Sequence, residues 1–489
     1  MLRGSSVSWV RGIPVRSALC VVGDSRLKFH NSMFSWNHVR PLAVFNQSSL
    51  LLNASNITSN SVDAFGGGIF ARDDANVTIT GNSRVHANNA SEDGGGVFAM
   101  DNALLWVDGN STVAGNSATS GGGIAAEGNA SITLTGSSSI RGNAAPKSGS
   151  GGGLAVWDSV NVTLTGDSRV QDNTAFRGGG LFAMDRTFVS CSGCIISNNT
   201  AKPGVACAKW EYGPKTPDHP NCVCDEVWED AVSRRFGCML VAGVCGGGIA
   251  IEGDASVTLA GGSRVHKNVA ENGTGGGVSM CADFGDTSRE RGQRTEAEDA
   301  VMDGYRFGQP SVTLTGASSV EANLAVYGGG MYAVGNARVT LTDGSSVHSN
   351  RAVADGGGLL SRGQVRVLLA NGSSAHSNTA GGTGGGMQLS GSLVLVGGSS
   401  VHDNTAQFGA GGILGSELRA ELTDGSSVHS NTARYGPAGG LLLIEGTQLD
   451  ISNQSMVVNN TCFNDVGGGI SVDLSTIAKF DARGRLAST

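Results

Sequence analysis

The sequence predicts an all-β chain wound as a right-handed parallel β-helix, a solenoid of about thirteen coils with three short strands in each. Three observations predict it. Glycine clusters recur along the chain with most spacings between 26 and 30 residues, an apolar-x-x-Asn-x-Ala landmark precedes each cluster, and a strictly alternating Val-Thr-Leu-Thr segment lies between them.

The clusters begin at Gly66, Gly94, Gly121, Gly151, Gly178, Gly246, Gly275, Gly328, Gly356 and Gly384, continue as Gly411-Gly412 and Gly439-Gly440, and end at Gly467. With 77 glycines, only 9 prolines and no Gly-X-Y period, the chain is not collagen. Aliphatic residues spread evenly through the repeats argue against low-complexity disorder. Glycine at these places lets the backbone turn tightly or approach the next coil. The alternating segments, such as Val77-Thr78-Ile79-Thr80, Val162-Thr163-Leu164-Thr165 and Val339-Thr340-Leu341-Thr342, read as half-buried strands. The third strand is Ser-x-Val-x-x-Asn, with Gly, Asn, Asp and Ser at the corners. One such coil cannot bury its apolar row alone, whereas a stack at ~4.8 Å spacing encloses a continuous core.

The landmark asparagines are Asn88, Asn116, Asn143, Asn173, Asn199, Asn268, Asn323, Asn350, Asn378, Asn404, Asn431 and Asn460, with Asn60 before them. They read as a structural ladder, their amides bonding from coil to coil. The repeats span 46–474. Residues 1–45 form an N-terminal segment without a clear repeat, and 475–489 a C-terminal tail. Two longer gaps mark insertions, a Cys-rich one at about 202–245 and a charged one at 281–310 that includes Asp283, Arg289, Glu290, Arg294 and Glu298.

The pairing of apolar-x-x-Asn with a Gly-Gly-x-(Ile/Leu/Val) run resembles the repeats of chlamydial polymorphic outer-membrane proteins and related pectin-lyase-like β-helix proteins. The apolar residue is mostly Val here (Val85, Val170, Val347, Val401, Val428) where that family usually has Phe, and Gly-Gly-Gly replaces its Gly-Gly-Ala. The resemblance implies the fold and a surface-displayed, adhesin-like role. Its bacterial members are autotransporters with a C-terminal membrane barrel, for which the stretch after Gly467 leaves no room. Other β-helix relatives cleave acidic polysaccharides, which makes a lyase or hydrolase the alternative. The polygalacturonase-type Asn-Thr-Asp, Gly-His-Gly and Arg-Ile-Lys segments are not in this sequence. Asp73-Asp74, the only adjacent Asp pair, reads as a solvated corner.

Six of the nine histidines, His86, His266, His348, His376, His402 and His429, hold the same repeat position and predict an outward row. The plain reading is a polar stripe; a metal or pH-responsive site is the alternative. Outward Thr-x-Thr pairs read as ordinary strand threonines. An ice-binding array is broken by Ala260, Arg366, Leu368 and Glu421.

Cys191, Cys194, Cys207, Cys222, Cys224, Cys238 and Cys245 lie in or beside the first insertion and read as disulfide partners of undetermined connectivity. A zinc site from Cys191-x-x-Cys194 with Cys222-x-Cys224 is the rival. Thirteen Asn-x-Ser/Thr sequons accompany them. Together they point to an extracellular or cell-surface protein, although Arg11, Pro14 and Arg16 interrupt any signal-peptide core. The net charge of −8, without a basic face, argues against nucleic acid, and no apolar run is long enough for a transmembrane segment. The expected function is a non-enzymatic scaffold without a cofactor, binding a glycan or a cell-surface protein, with bare solenoid ends open to end-to-end self-association.

Overall fold

A computed structural model describes residues 17–38, 40–146, 148–203, 244–280, 308–463, 467–473 and 477–480, with short pieces at 2–3, 6–8 and 485–487. Among the described residues every regular element is a strand. One coil shows how the sequence makes the turn. Strands Ile69–Ala71, Asn76–Thr80 and Arg84–His86 follow one another around the axis, and a two-residue strand, Asn89–Ala90, leads to the next glycine cluster.

Successive coils pair in parallel with constant register, Val77 on Leu105, Ile79 on Val107 and Val85 on Val113. The first and second strands of the coils merge into one 29-stranded sheet, the third strands form a 16-stranded sheet, and the two-residue strands build a two-stranded pair, Ser61–Val62 with Asn89–Ala90, and a separate nine-stranded ribbon, counted over the described residues. The merger occurs where Met387–Leu395 and Ile413–Leu422 run through the corner between first and second strand.

The period-two alternation sets the inside and outside. Val77 and Ile79 are fully buried while Thr78 and Thr80 face outward, and the same pattern repeats at Val162/Leu164 and Val339/Leu341. Columns of aliphatic side chains therefore run the length of the solenoid as one continuous core. The third glycine of a cluster has no room for a side chain: a Cβ on Gly180 would stand 2.7 Å from the Gly248 carbonyl oxygen and 2.8 Å from Asn199 Nδ2.

The coil geometry begins before the first glycine cluster. Strands Ser17–Val21, Arg26–His30 and Met33–Ser35 pair with Arg40–Val44, Ser49–Asn53 and Asn56–Thr58. Here Phe29 and Phe34, with ring centroids 6.4 Å apart, fill the interior that Val and Leu fill later. At the other end Ile477–Phe480 pairs with Gln448–Ile451.

Both insertions are rooted without disturbing the register. The first departs after Thr200–Ala201 and the chain rejoins at Val244; the second departs after Val278–Met280 and rejoins at Gly308. Across these gaps Leu181 pairs with Ile249, and Val257 with Val312. The remainder of both insertions, including Cys207, Cys222, Cys224, Cys238 and the charged run from Asp283 to Asp299, lies outside the described residues.

Candidate functional site

Two inward rows hold the coils together. Asn37, Asn60 and the twelve landmark asparagines from Asn88 to Asn460 stack in one line, each Nδ2 from Asn37 to Asn431 donating to Oδ1 of the Asn in the next coil at 2.8–3.0 Å. The same Oδ1 accepts the backbone N–H of the preceding Asn, as Asn116 Oδ1 does from Asn88 at 2.9 Å. The second Nδ2 hydrogen goes to a main-chain carbonyl, Ile57 for Asn88 and Ile196 for Asn268. Donors and acceptors are thus consumed inside the wall, which makes these buried amides structural. The residue before each is forced into the left-handed region, and most are not glycine, as at Ala87, Ala322 and Ser377. Asn37 follows the landmark pattern from Phe34, and that spacing could have identified it in the sequence.

The second inward row was visible only as a corner residue. Ser83, Ser111, Ser138, Ser168, Ser263, Ser318, Ser345, Ser373, Ser399, Ser426 and Ser455 are fully buried, several donating back to the carbonyl three residues earlier, as Ser83 does to Thr80 at 2.6 Å. Cys194 occupies this row, donating its backbone N–H to Ser263 Oγ at 3.3 Å. Cys191 occupies the core column between Leu164 and Leu259. The two form a disulfide across the corner, inside the wall, with Cα atoms 5.6 Å apart, so neither is a free thiolate for a zinc site; Cys222 and Cys224 lie outside the described residues. Cys245 is also disulfide-bonded.

The outward histidines are the most regular chemical feature. Their row on the 16-stranded sheet reads His86, Ala114, Arg141, Gln171, Ser197, His266, Glu321, His348, His376, His402, His429. The last four rings stack face to face, centroids 4.8, 4.9 and 4.8 Å apart and planes within 5° of parallel. Each Nδ1 faces the corner residue that follows it: Ser349, Ser377 and Ser430 at 3.2 Å, and Asp403 at 2.8 Å. Nε2 of His348 meets Glu321 Oε2 at 2.8 Å, while Glu321 also accepts from Arg264 Nε at 2.7 Å. The Nε2 atoms of His376, His402 and His429 have no partner among the described residues.

Half-burial between neighbours disfavours the charged imidazole. His376 is lowered to about 4, by burial first and then by His348 and His402. His429 is lowered by burial and His402; burial also lowers His266, helped by Arg264, and His86, helped by Arg84. Beside the row runs a second one, Ser346, Ser374, Ser400 and Ser427, on the same outer face. Among the described residues no group of three His, Cys, Asp or Glu is arranged to hold a metal ion. The strip offers hydroxyls and ring nitrogens at one-coil intervals instead.

Two further outer features complete the surface. The second-strand face carries Leu104, Trp106 and Phe188, all nearly half exposed, among serines, threonines and asparagines. Between the roots of the two insertions the Glu252 carboxylate, 2 % exposed, is paired with Arg177 Nη1 at 3.1 Å. Within the described residues no helix is long and apolar enough to cross a membrane.

Comparison with known families finds one match: the family described as right handed beta helix region aligns with residues 3–139, and so includes the early coils that lack glycine clusters. No curated protein matches the chain significantly. The match agrees with the wound parallel sheets and carries the fold, not the lineage of the chlamydial repeats.

Proposed function

We propose that this right-handed parallel β-helix protein is a non-enzymatic extracellular or cell-surface scaffold that binds a linear glycan along its third-strand face. The observation that carries the reading is the Ser/His strip from Ser346 to His429, which repeats the same two outward side chains in four successive coils. A ligand with its own axial repeat meets equivalent donors and acceptors at each coil, so that many weak contacts add along one chain. Packing does not demand the repetition. In the same coils a row of the second-strand face changes from Thr340 to Leu368, Val394 and Glu421. Copying of whole coils would have kept both rows. The Cys191–Cys194 disulfide, the bonded Cys245 and thirteen sequons support an oxidising, secretory destination.

A second reading has its own observation. Arg264, Glu321 and His348 join a cation, a carboxylate and an imidazole across neighbouring coils, groups from which a polysaccharide lyase or hydrolase could draw an acid and a base. One experiment separates the two. Full-length protein is incubated with neutral and acidic polysaccharides, with and without calcium, and both retained polymer and released reducing ends are measured. Retention without release, weakened about tenfold in the His376→Gln/His402→Gln double variant, is the expected result. Release that disappears in Glu321→Gln would establish the enzyme; no retention on any polymer would overturn the glycan reading.

A further inference from the structure

The apolar residues of the second-strand face have a positional relation that their exposure alone does not reveal. Two sequon asparagines stand in the first outward row of this face, Asn76 in Asn76-Val77-Thr78 and Asn161 in Asn161-Val162-Thr163. In the coil that follows each, and in the same row, stands a large apolar residue. Asn76 registers on Leu104 and Thr78 on Trp106; Asn161 registers on Phe188. Leu104 is 48 %, Trp106 47 % and Phe188 45 % exposed. Among the described residues these three are the only large apolar side chains so exposed on this face, and both times they follow the asparagine in the same direction. From Ser131 to Gln448 the other positions of the row are Ser131, Ser256, Ser311, Arg338, Arg366, Ser392, Arg419 and Gln448.

Asn76 and Asn161 also differ from three other sequon positions. Asn110, Asn371 and Asn453 spend their Nδ2 on neighbouring side chains: Asn82, Asp343 and Asp424 respectively. The amides of Asn76 and Asn161 are exposed and have no hydrogen-bond partner among the described residues. Adjacent strands in a sheet lie ~4.8 Å apart, so a sugar on Nδ2 of Asn76 reaches the Leu104/Trp106 pair with its first ring. The C–H face of a pyranose packs well on an indole, phenyl or isobutyl surface. An apolar patch on an otherwise polar face then has a cover supplied by the chain itself.

We propose that Asn76 and Asn161 are N-glycosylation sites whose innermost N-acetylglucosamine packs on Leu104/Trp106 and Phe188, so that these side chains hold the protein's own glycans. The inference rests on the extracellular destination proposed above but not on the Ser/His strip, which lies on a different sheet.

The test uses the full-length chain secreted from a eukaryotic host, with site occupancy mapped by glycopeptide mass spectrometry. Native protein is then exposed to a peptide N-glycosidase and release is followed site by site. Occupancy of Asn76 and Asn161, with release about tenfold slower than at Asn110 or Asn371, is expected. Trp106→Thr with Leu104→Ser should leave Asn76 occupied and raise its release rate to that of Asn110, and Phe188→Ser should do the same for Asn161 alone. Empty Asn76 and Asn161 in a chain glycosylated at Asn110 or Asn371 would overturn the proposal and leave the extracellular reading standing. A secreted chain with every sequon empty overturns it as well, as does release unchanged by the substitutions. Polymer retention by the Ser/His strip is measured on the same samples, so failure there is read separately.

Discussion

Along one outward row of the third-strand sheet the two halves of the solenoid behave differently. From His86 to Ser197 the row changes at every coil, passing through Ala114, Arg141 and Gln171. From His266 to His429 it is imidazole at every coil except for Glu321. The inward rows draw no such line, since the asparagine ladder runs unbroken through both halves. Repetition inside the wall is enforced by packing, because a slipped register or a missing amide strands buried polar groups. Repetition outside the wall has no such enforcement, and where it occurs it points to chemistry the solvent side has to present.

The contrast can be broken most severely from within. Gly180→Ala places a methyl against the Gly248 carbonyl and the Asn199 amide, and Asn268→Ala removes the acceptor of the Asn199 backbone N–H and Nδ2 and the donor to the Ile196 carbonyl. Each should cost at least about 4 kcal/mol in urea unfolding, and the asparagine substitution should cost as much at Asn116 in the first half as at Asn268 in the second. Unequal losses would show that the inner wall is not uniform.

The second prediction isolates the uniform outer stretch. Because His376 is held at about 4 in the fold against 6.5 when free, the unfolded chain binds more protons between those values. This ring contributes stability that is fully present above about pH 6.5 and is lost as the pH falls through 4. Exposure of the half-buried ring reduces the effect to about 1–2 kcal/mol. His376→Gln, which gives the coil the residue found at Gln171, should recover that amount at pH 4 and change little at pH 8. Unfolding curves at the two pH values test it, and equal acid sensitivity with and without the ring would refute the stacking account.

A smaller effect is expected at the corners. Ala322, at φ +53, pays the left-handed penalty without a side chain that helps, so Ala322→Gly should stabilise by about 0.5–1 kcal/mol. Ala87→Gly should gain the same in the first half, measured by the same unfolding assay. Smallest of all, Ser374→Ala should leave stability within about 0.5 kcal/mol while weakening retained polymer, which would place the outer row in binding and not in folding.

The coil, its three strands and the asparagine ladder were legible in the sequence because each depends on residues that no other type replaces: glycine where a Cβ collides, asparagine where an amide must both give and accept, and period-two alternation where one face is buried. The coils before Asn46 were hidden because Phe29, Phe34 and Leu42 do the same packing without a glycine cluster to announce them. The buried serine row reads in the sequence only as a turn signal, since Ser at a corner and Ser bonded inside a wall look alike in a string of letters. The histidine row was visible as a row, but its company was not. Glu321 enters it from a coil separated from His266 by the second insertion, and Arg264 joins through a contact that only the register supplies.

The ladder has a direction. Every amide-to-amide bond from Asn37 to Asn431 runs toward the C-terminal coils, and none is reversed. The column is therefore polar in the sense that a magnet is, with unlike ends. Two ends of the same kind cannot complete each other, because both would offer donors or both acceptors. Any extension of the column, whether by another coil or by another copy of the chain, has to be head-to-tail. A head-to-tail contact does not close on itself as a twofold dimer does; it makes a ring where its rotation closes and an open filament where it does not.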